Sequence, residues 1–213
     1  MISDQHYIII GGAGDIGLAT AQMLHKMGAH LTLWDINAEA LRSATQALNA
    51  AGAVVDIRDD EAVAQAMQDA VARMGGVDGV IHCAGLGDAG HFDQVEIERQ
   101  HLTAEVNLVG TLNVAYAALP CLRANGGHLI VLASASGLYG TPELAVYGAT
   151  QAARINFVQA LQLEQADGPM QIKLVLADFV NTALYREQQR YTAIAQRIGT
   201  AHDPDDIAAA VVR

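Results

Sequence analysis

Tyr7-Ile8-Ile9-Ile10-Gly11-Gly12-Ala13-Gly14-Asp15-Ile16-Gly17 is the stretch on which the fold turns. Tyr7–Ile10 is a short apolar, β-branched run of the kind that a buried parallel strand uses. Gly11, Gly14 and Gly17 follow at intervals of three, and Ile16, Ala19, Ala21, Met23 and Leu24 then fall on or near one helical stripe. The unit is strand, glycine turn, helix. Glycine lets a backbone turn tightly and approach a ligand, and a helix start offers unpaired N–H groups and a positive dipole end to a pyrophosphate. The ligand this implies is a dinucleotide.

Asp35 strengthens that implication. It ends the next apolar run, His30–Trp34, and is followed by Ile36. An acid at the end of the second strand can accept both ribose hydroxyls of an adenosine and would repel a 2′-phosphate. No Arg or Lys lies within the turn itself, so the expected cofactor is NAD in preference to NADP. The other role open to Asp35 is to cap the helix expected over 38–49.

Working outward, 213 residues suit one large α/β domain spanning 1–213. A hydrophobic content of 52% against 16% charged residues indicates an ordered, core-rich chain. The formal charge of −11 argues against nucleic acid or an anionic membrane surface as partner. Cys83 and Cys121 stand apart from any CxxC or Cys/His ligand spacing, so no disulfide framework and no metal site is expected, and a reducing cytoplasm fits. Tyr7–Ile10 is too short for a signal core or a membrane span. No linker, low-complexity stretch or repeat marks a domain boundary.

Apolar runs of strand length recur at Tyr7–Ile10, Leu31–Trp34, Ala53–Val55, Gly79–His82, Leu129–Ala133 and Ile172–Leu176. Helical patterns lie between them at about Asp15–Met27, Ala38–Asn49, Asp60–Met74, Glu98–Leu122 and Val146–Glu164. Strict β/α alternation requires a mostly parallel sheet covered by helices on both faces, a three-layer α/β/α architecture of the doubly wound Rossmann type. In such sheets ligands sit beyond the carboxyl ends of the strands, and the remaining polar signals cluster there. Asp56-Ile57 follows the third strand and His82-Cys83-Ala84-Gly85 ends the fourth. Asp56 could bond an adenine amino group, while His82 reads first as a satisfied strand-end histidine. Asn107 sits amid Val106, Leu108, Val109 and Leu112, where a polar amide is either a helix-bend feature or a site residue. Ser134 ends the fifth strand, and Tyr147 opens a helix whose Gln151 lies one turn on along the same face. A strand-end hydroxyl and a helix-start phenol can converge on one carbonyl oxygen.

Taken together and in this order, these motifs resemble the short-chain dehydrogenase/reductase family from Tyr7 to about Thr182. The resemblance implies that Gly11, Gly12, Ala13, Gly14, Asp15, Ile16 and Gly17 hold a pyrophosphate, that Asp35 selects NAD with Ile36 beside the cofactor, and that Asp56 and Ile57 hold adenine. It aligns the family's Asn-Asn-Ala-Gly turn with His82-Cys83-Ala84-Gly85, placing Cys83, Ala84 and Gly85 beside the cofactor. It implies catalytic roles for Asn107, Ser134, Tyr147 and Gln151, and a nicotinamide contact at Val180 and Thr182 within Ala177–Thr182, where the family has Pro-Gly-x-x-x-Thr.

The departures concentrate at the chemistry. Gln151 stands where the family motif YxxxK has lysine. In the family that ammonium bonds the nicotinamide ribose and favours tyrosinate; a unit charge about 5 Å away at an effective dielectric of about 20 contributes roughly 3 kcal/mol. Gln151 can bond a ribose but brings no charge. Carbonyl reduction needs Tyr147 as a donor and should survive better than alcohol oxidation, which needs a base. Two functions follow: an NAD(H)-dependent oxidoreductase that interconverts a carbonyl and a secondary alcohol, or a dinucleotide-binding redox sensor or interaction subunit with little turnover. The expected substrate walls, Leu86–Phe92, Gly137–Pro142 and Phe179–Arg190, supply Leu138, Tyr139, Leu144, Phe179 and Tyr185, with Arg186 and Arg190 as candidate anchors for an acid group. Pro204-Asp205-Asp206 reads as a further helix start, after which family members continue into a seventh strand. The apolar flanks of Leu102–Leu122 and Tyr147–Leu163 suit a homodimer or homotetramer contact.

Overall fold

A computed structural model describes residues 2–189, 197, 199–200 and 202–213. The described residues form six strands, β1 (His6–Ile10), β2 (His30–Asp35), β3 (Ala51–Val54), β4 (Gly79–His82), β5 (His128–Ser134) and β6 (Gln171–Ala177), in one parallel sheet of order β3-β2-β1-β4-β5-β6. Strand β1 lies at the centre, pairing Ile8 with Thr32 of β2 on one side and with Val80 of β4 on the other. The order reverses between β1 and β4, so a crevice opens at their carboxyl ends, where an open α/β sheet places its ligand.

Side chains alternate across the sheet, and each strand therefore feeds two cores. Ile8, Ile10, Val80, Leu129 and Val131 pack under α3 (Asp60–Met74), α5 (Gly110–Asn125) and α6 (Ala145–Glu164). Tyr7, Ile9, Leu31, Leu33, Ile81 and Ile130 pack under α1 (Asp15–Lys26) and α2 (Ala38–Leu48), joined by Ile207 and Val211 of α8 (Pro204–Val211), which follows the short α7 (Ala183–Gln189). Three layers result, as the alternation of apolar runs requires. Asp203 and Asp206 form a reciprocal capping box at the α8 start, with Pro204 in its first turn.

Two elements differ from expectation, and the cap of α2 falls to a neighbour of Asp35. The helix expected over 98–122 is three segments: α4 (Ile97–Ala104), a π-turn (Glu105–Val109) and α5. One extra residue in the turn re-aims the chain at Asn107, and a hydrophobic stripe does not reveal it. Strand β3 begins two residues before the expected run because the edge strand pairs Ala51 and Gly52 with Thr32 and Leu33, through backbone bonds that hydropathy does not mark. Asn37, whose side chain accepts from the Ala40 N–H at 3.1 Å, caps α2 in place of Asp35.

The glycine turn is held by contact with itself. A Cβ on Gly17 would stand 2.0 Å from the Gly11 carbonyl oxygen, and Gly11, at φ 74°, would drive a Cβ to 2.7 Å from the Ala84 nitrogen. Helix α1 can start directly over β1 only because both positions lack a side chain. Gly17→Ala is expected to destabilise the fold by about 3 kcal/mol through overpacking against backbone. Urea unfolding followed by circular dichroism reads this, and an unchanged midpoint would show that the turn relaxes at no cost.

Candidate active site

The crevice divides into two cavities that meet at Cys83 and Gly85. The first, of about 460 Å³, is bordered by Gly11, Gly14, Asp35, Ile36, Asp56 and Ile57. The second, of about 150 Å³, is bordered by Ile16, Ser134, Tyr147, Gln151, Val180 and Thr182. The start of α1 stands between them, with Gly14 in one wall and Ile16 in the other. Residues expected from the sequence to touch the two ends of a dinucleotide thus sort into two adjoining spaces around a helix start whose first N–H groups have no intrahelical partner.

Asp35 braces the first cavity. Its Oδ2 accepts from the Ala13 N–H and its Oδ1 from the Asn37 N–H, each at 3.0 Å, so one carboxylate ties the glycine turn to the end of β2. Asp56 is engaged locally, accepting from the Arg58 backbone and guanidinium, and this pairing holds its carboxyl below the usual range. Arg58 also reaches Glu105 at 3.3 Å. Asp15 turns away from the first cavity: its carboxylate accepts from the Ala183 N–H and lies 3.9 Å from the Arg186 guanidinium. Arg186 further donates to the Asn181 side chain at 2.8 Å. These bonds tie the β6 loop to the start of α1, and Arg186 is used in that tie. Arg190 lies outside the described residues.

In the second cavity, Ser134 ends β5 and Tyr147 lies in the first turn of α6. Ser134 Oγ accepts from the Ser136 hydroxyl at 2.9 Å and the Ser136 N–H at 3.2 Å, leaving its own proton for the phenol oxygen. Burial pushes the Tyr147 phenol above its ordinary range, opposed by the Ser134 hydrogen bond and by the positive charge of Arg154. Thr141, Pro142, Leu144, Phe179 and Tyr185 complete the wall. Phe179 sits at φ 33° and meets Tyr185 edge-on at 5.9 Å. Leu138, by contrast, is 60% exposed and lies outside it.

Asn107 is fully buried in the π-turn and does not border the cavity. Its amide accepts from the Leu86 N–H at 2.8 Å and donates to the Leu86 carbonyl at 2.7 Å and to Thr150 Oγ1 at 2.9 Å. Thr150 in turn donates to the Tyr147 carbonyl at 2.7 Å. Asn107 therefore locks the loop after β4 to the turn of helix that carries Tyr147, which makes it both a bend feature and a support of the site.

The residue that periodicity did not single out is Arg154. It is 2% exposed, seven residues beyond Tyr147 on the same face of α6, and it borders the second cavity. Its guanidinium donates to the main-chain carbonyls of Leu132 (2.9 Å), Ala84 (3.2 Å) and Asn107 (3.0 and 3.3 Å). A charge inside the apolar stripe of Ile155, Val158 and Leu161 was the available signal.

His82 is a buried structural group. Thr111 Oγ1 gives its proton to the Asn107 carbonyl at 2.6 Å, so the His82 Nε2–H donates to Thr111 Oγ1 at 3.0 Å and Nδ1 is left unprotonated. Burial first, and the Arg154 charge second, hold the imidazole well below 6.5. The unfolded chain therefore takes up a proton below about pH 6.5 that the folded chain refuses, and stability falls with pH there by about 1.4 kcal/mol per unit. His82→Gln is expected to lower the slope by that amount in denaturation series run at successive pH values, His128, also held down by burial, keeping its own share; an unchanged slope would place the sensitivity elsewhere.

The comparisons agree with this geometry. The family model described as short chain dehydrogenase matches residues 5–192. An uncharacterized oxidoreductase of Staphylococcus aureus (strain N315) is 31% identical over 219 residues, covering 100% of this chain and 91% of that protein. A short-chain type dehydrogenase/reductase from Mycobacterium ulcerans superposes with a TM-score of 0.90 at 22% identity, over 99% of this chain and 82% of that one. A 3-ketoacyl-(acyl-carrier-protein) reductase from Brucella melitensis, solved with NADH, gives 0.90 at 22% identity over 100% and 90%. The six-stranded sheet, the glycine turn beneath α1 and the serine and tyrosine facing one cavity, together with these matches, make this chain a member of the short-chain dehydrogenase family.

Proposed function

We propose that the protein is an NAD(H)-dependent oxidoreductase that reduces a small carbonyl compound to a secondary alcohol, with Tyr147 as proton donor. The observation that carries this is the shared cavity: Ser134 and Tyr147 face one space that joins, at Cys83 and Gly85, the groove bordered by the glycine turn and Asp35. The groove fits a dinucleotide because Gly11 and Gly14 bring the backbone up to the α1 start between the two cavities, while the Asp15 carboxylate is turned to Ala183. Bound there, NADH supplies the hydride that reduces the carbonyl carbon.

The chain's own residues supply the rest. Ser134, its lone pairs taken up by Ser136, turns its proton from the phenol to the reacting oxygen once a carbonyl enters the cavity. Tyr147 gives the oxygen its proton and is reprotonated from solvent, so the carbonyl compound gains one hydride and one proton and becomes the alcohol. A phenol pushed up by burial remains protonated at neutral pH, which favours reduction over oxidation. Asp35, held by two backbone N–H groups, keeps its charge fixed where a 2′-phosphate would fall, which supports NAD over NADP. The mostly apolar wall of Leu144, Phe179 and Tyr185 supports a compact, weakly polar substrate. Tyr116 on α5, 84% exposed, and Leu163 on α6, 80% exposed, support pairing of these helices with a second copy.

A panel of aldehydes and ketones assayed with NADH tests the reading. Tyr147→Phe is expected to lower kcat/KM about a thousandfold while leaving NADH binding intact. Turnover that persists in Tyr147→Phe would remove the phenol from the reaction.

A further inference from the structure

We propose that Arg154 supplies to Tyr147 the positive charge that the family's lysine position, here Gln151, does not carry. The inference rests on reading Tyr147 as the proton donor. Residues 147, 151 and 154 share one face of α6 at helical spacing, so moving a cation from the second position to the third keeps it on the wall of the same cavity.

The guanidinium is held for such a role. Its hydrogen bonds go to main-chain carbonyls, from the end of β5, the loop after β4 and the π-turn, and among the described residues it has no carboxylate partner. Carbonyl dipoles solvate the charge but do not neutralise it, so in a site of low dielectric its field acts on the nearest ionisable groups. Tyr147 and Cys83 border the same cavity as Arg154, which also bonds the Ala84 carbonyl next to Cys83, and its field reaches both and His82. Cys83 and His82 do not compete for it: burial pushes the thiol to about 12 and keeps the imidazole neutral.

The remaining ionisable groups that border Tyr147 are phenols and acids, and Arg99 and His91 stand against those acids. Tyr139, Tyr185 and Asp178 border the same cavity from the segments after β5 and β6. Asp88 and Glu143 stand beside Tyr147 on its other side, Asp88 paired with Arg99 at 2.9 Å. Among the described residues, Arg154 is the one cation in the cavity wall. Its substitution leaves the Ser134 hydrogen bond alone to oppose burial of the phenol, with no cation in the cavity wall.

The test reads ionisation of the phenol directly. Difluorotyrosine is incorporated at position 147, and its fluorine NMR shift is followed against pH in cofactor-free protein, so the result does not depend on turnover. Arg154→Gln is expected to raise the midpoint by about one pH unit or more, and Arg154→Lys to leave it within about half a unit. Arg154→Met is measured beside it so that a folded pair is available if Arg154→Gln does not fold, and the shift is expected to shrink in the Gln151→Lys background, where a lysine supplies a cation to that helix face. Equal midpoints with and without Arg154→Gln in a folded pair would overturn the proposal. A raised midpoint in an enzyme that reduces no carbonyl on the panel would uphold the electrostatic link and reject the proposed function.

Discussion

The close approach of Gly17 to the carbonyl of Gly11 is the contact on which the site depends. It allows α1 to begin directly over the end of β1, and so sets the helix start between the two cavities. Asp35 then ties the same turn to β2, and Ala84 closes over Gly11 from the end of β4. Three neighbouring strand ends are thereby held together by backbone packing and one carboxylate. A ligand aligned on this turn meets the strand-end residues of the rest of the sheet in a fixed order.

A second support lies under the far cavity. Asn107 and Arg154 both serve main-chain groups: Asn107 fastens the loop after β4, and Arg154 gathers carbonyls from β5, that loop and the π-turn. Buried polar groups of this kind are costly unless fully bonded, and the cost is met here by backbone partners. The arrangement fixes α6, and with it Tyr147, against the end of β5. It also leaves a net positive charge inside an apolar wall, which a purely structural bolt would not require.

Much of this is legible in the residues. Tyr7–Gly17 announces the central strand, turn and helix, and the recurrence of apolar runs with intervening helical stripes announces the layered parallel sheet. Asp35, Ser134 and Tyr147 stand out because they lie at strand ends or a helix start, where side chains face the crevice. What escapes depends on bonds that hydropathy does not carry. The π-turn shifts hydrogen bonding by one residue without interrupting the apolar stripe, and Asn37 outcompetes Asp35 as a cap because Asp35 is already engaged with Ala13. Asp15 sits within the phosphate-type turn in sequence, yet its carboxylate holds the loop after β6. Arg154 is hidden because the motif ends four residues after Tyr147, whereas this side chain reaches the site from seven.

The most direct measurement is a titration of the purified protein with NADH, competed with NADPH. It is read through energy transfer from Trp34, the chain's one tryptophan, which borders the first cavity. Saturable NADH binding, with NADPH at least about tenfold weaker, is the predicted result, corresponding to about 1.4 kcal/mol of discrimination at Asp35. NADPH binding as tight as NADH would contradict the role assigned to Asp35, and no binding of either nucleotide would contradict the dinucleotide site itself.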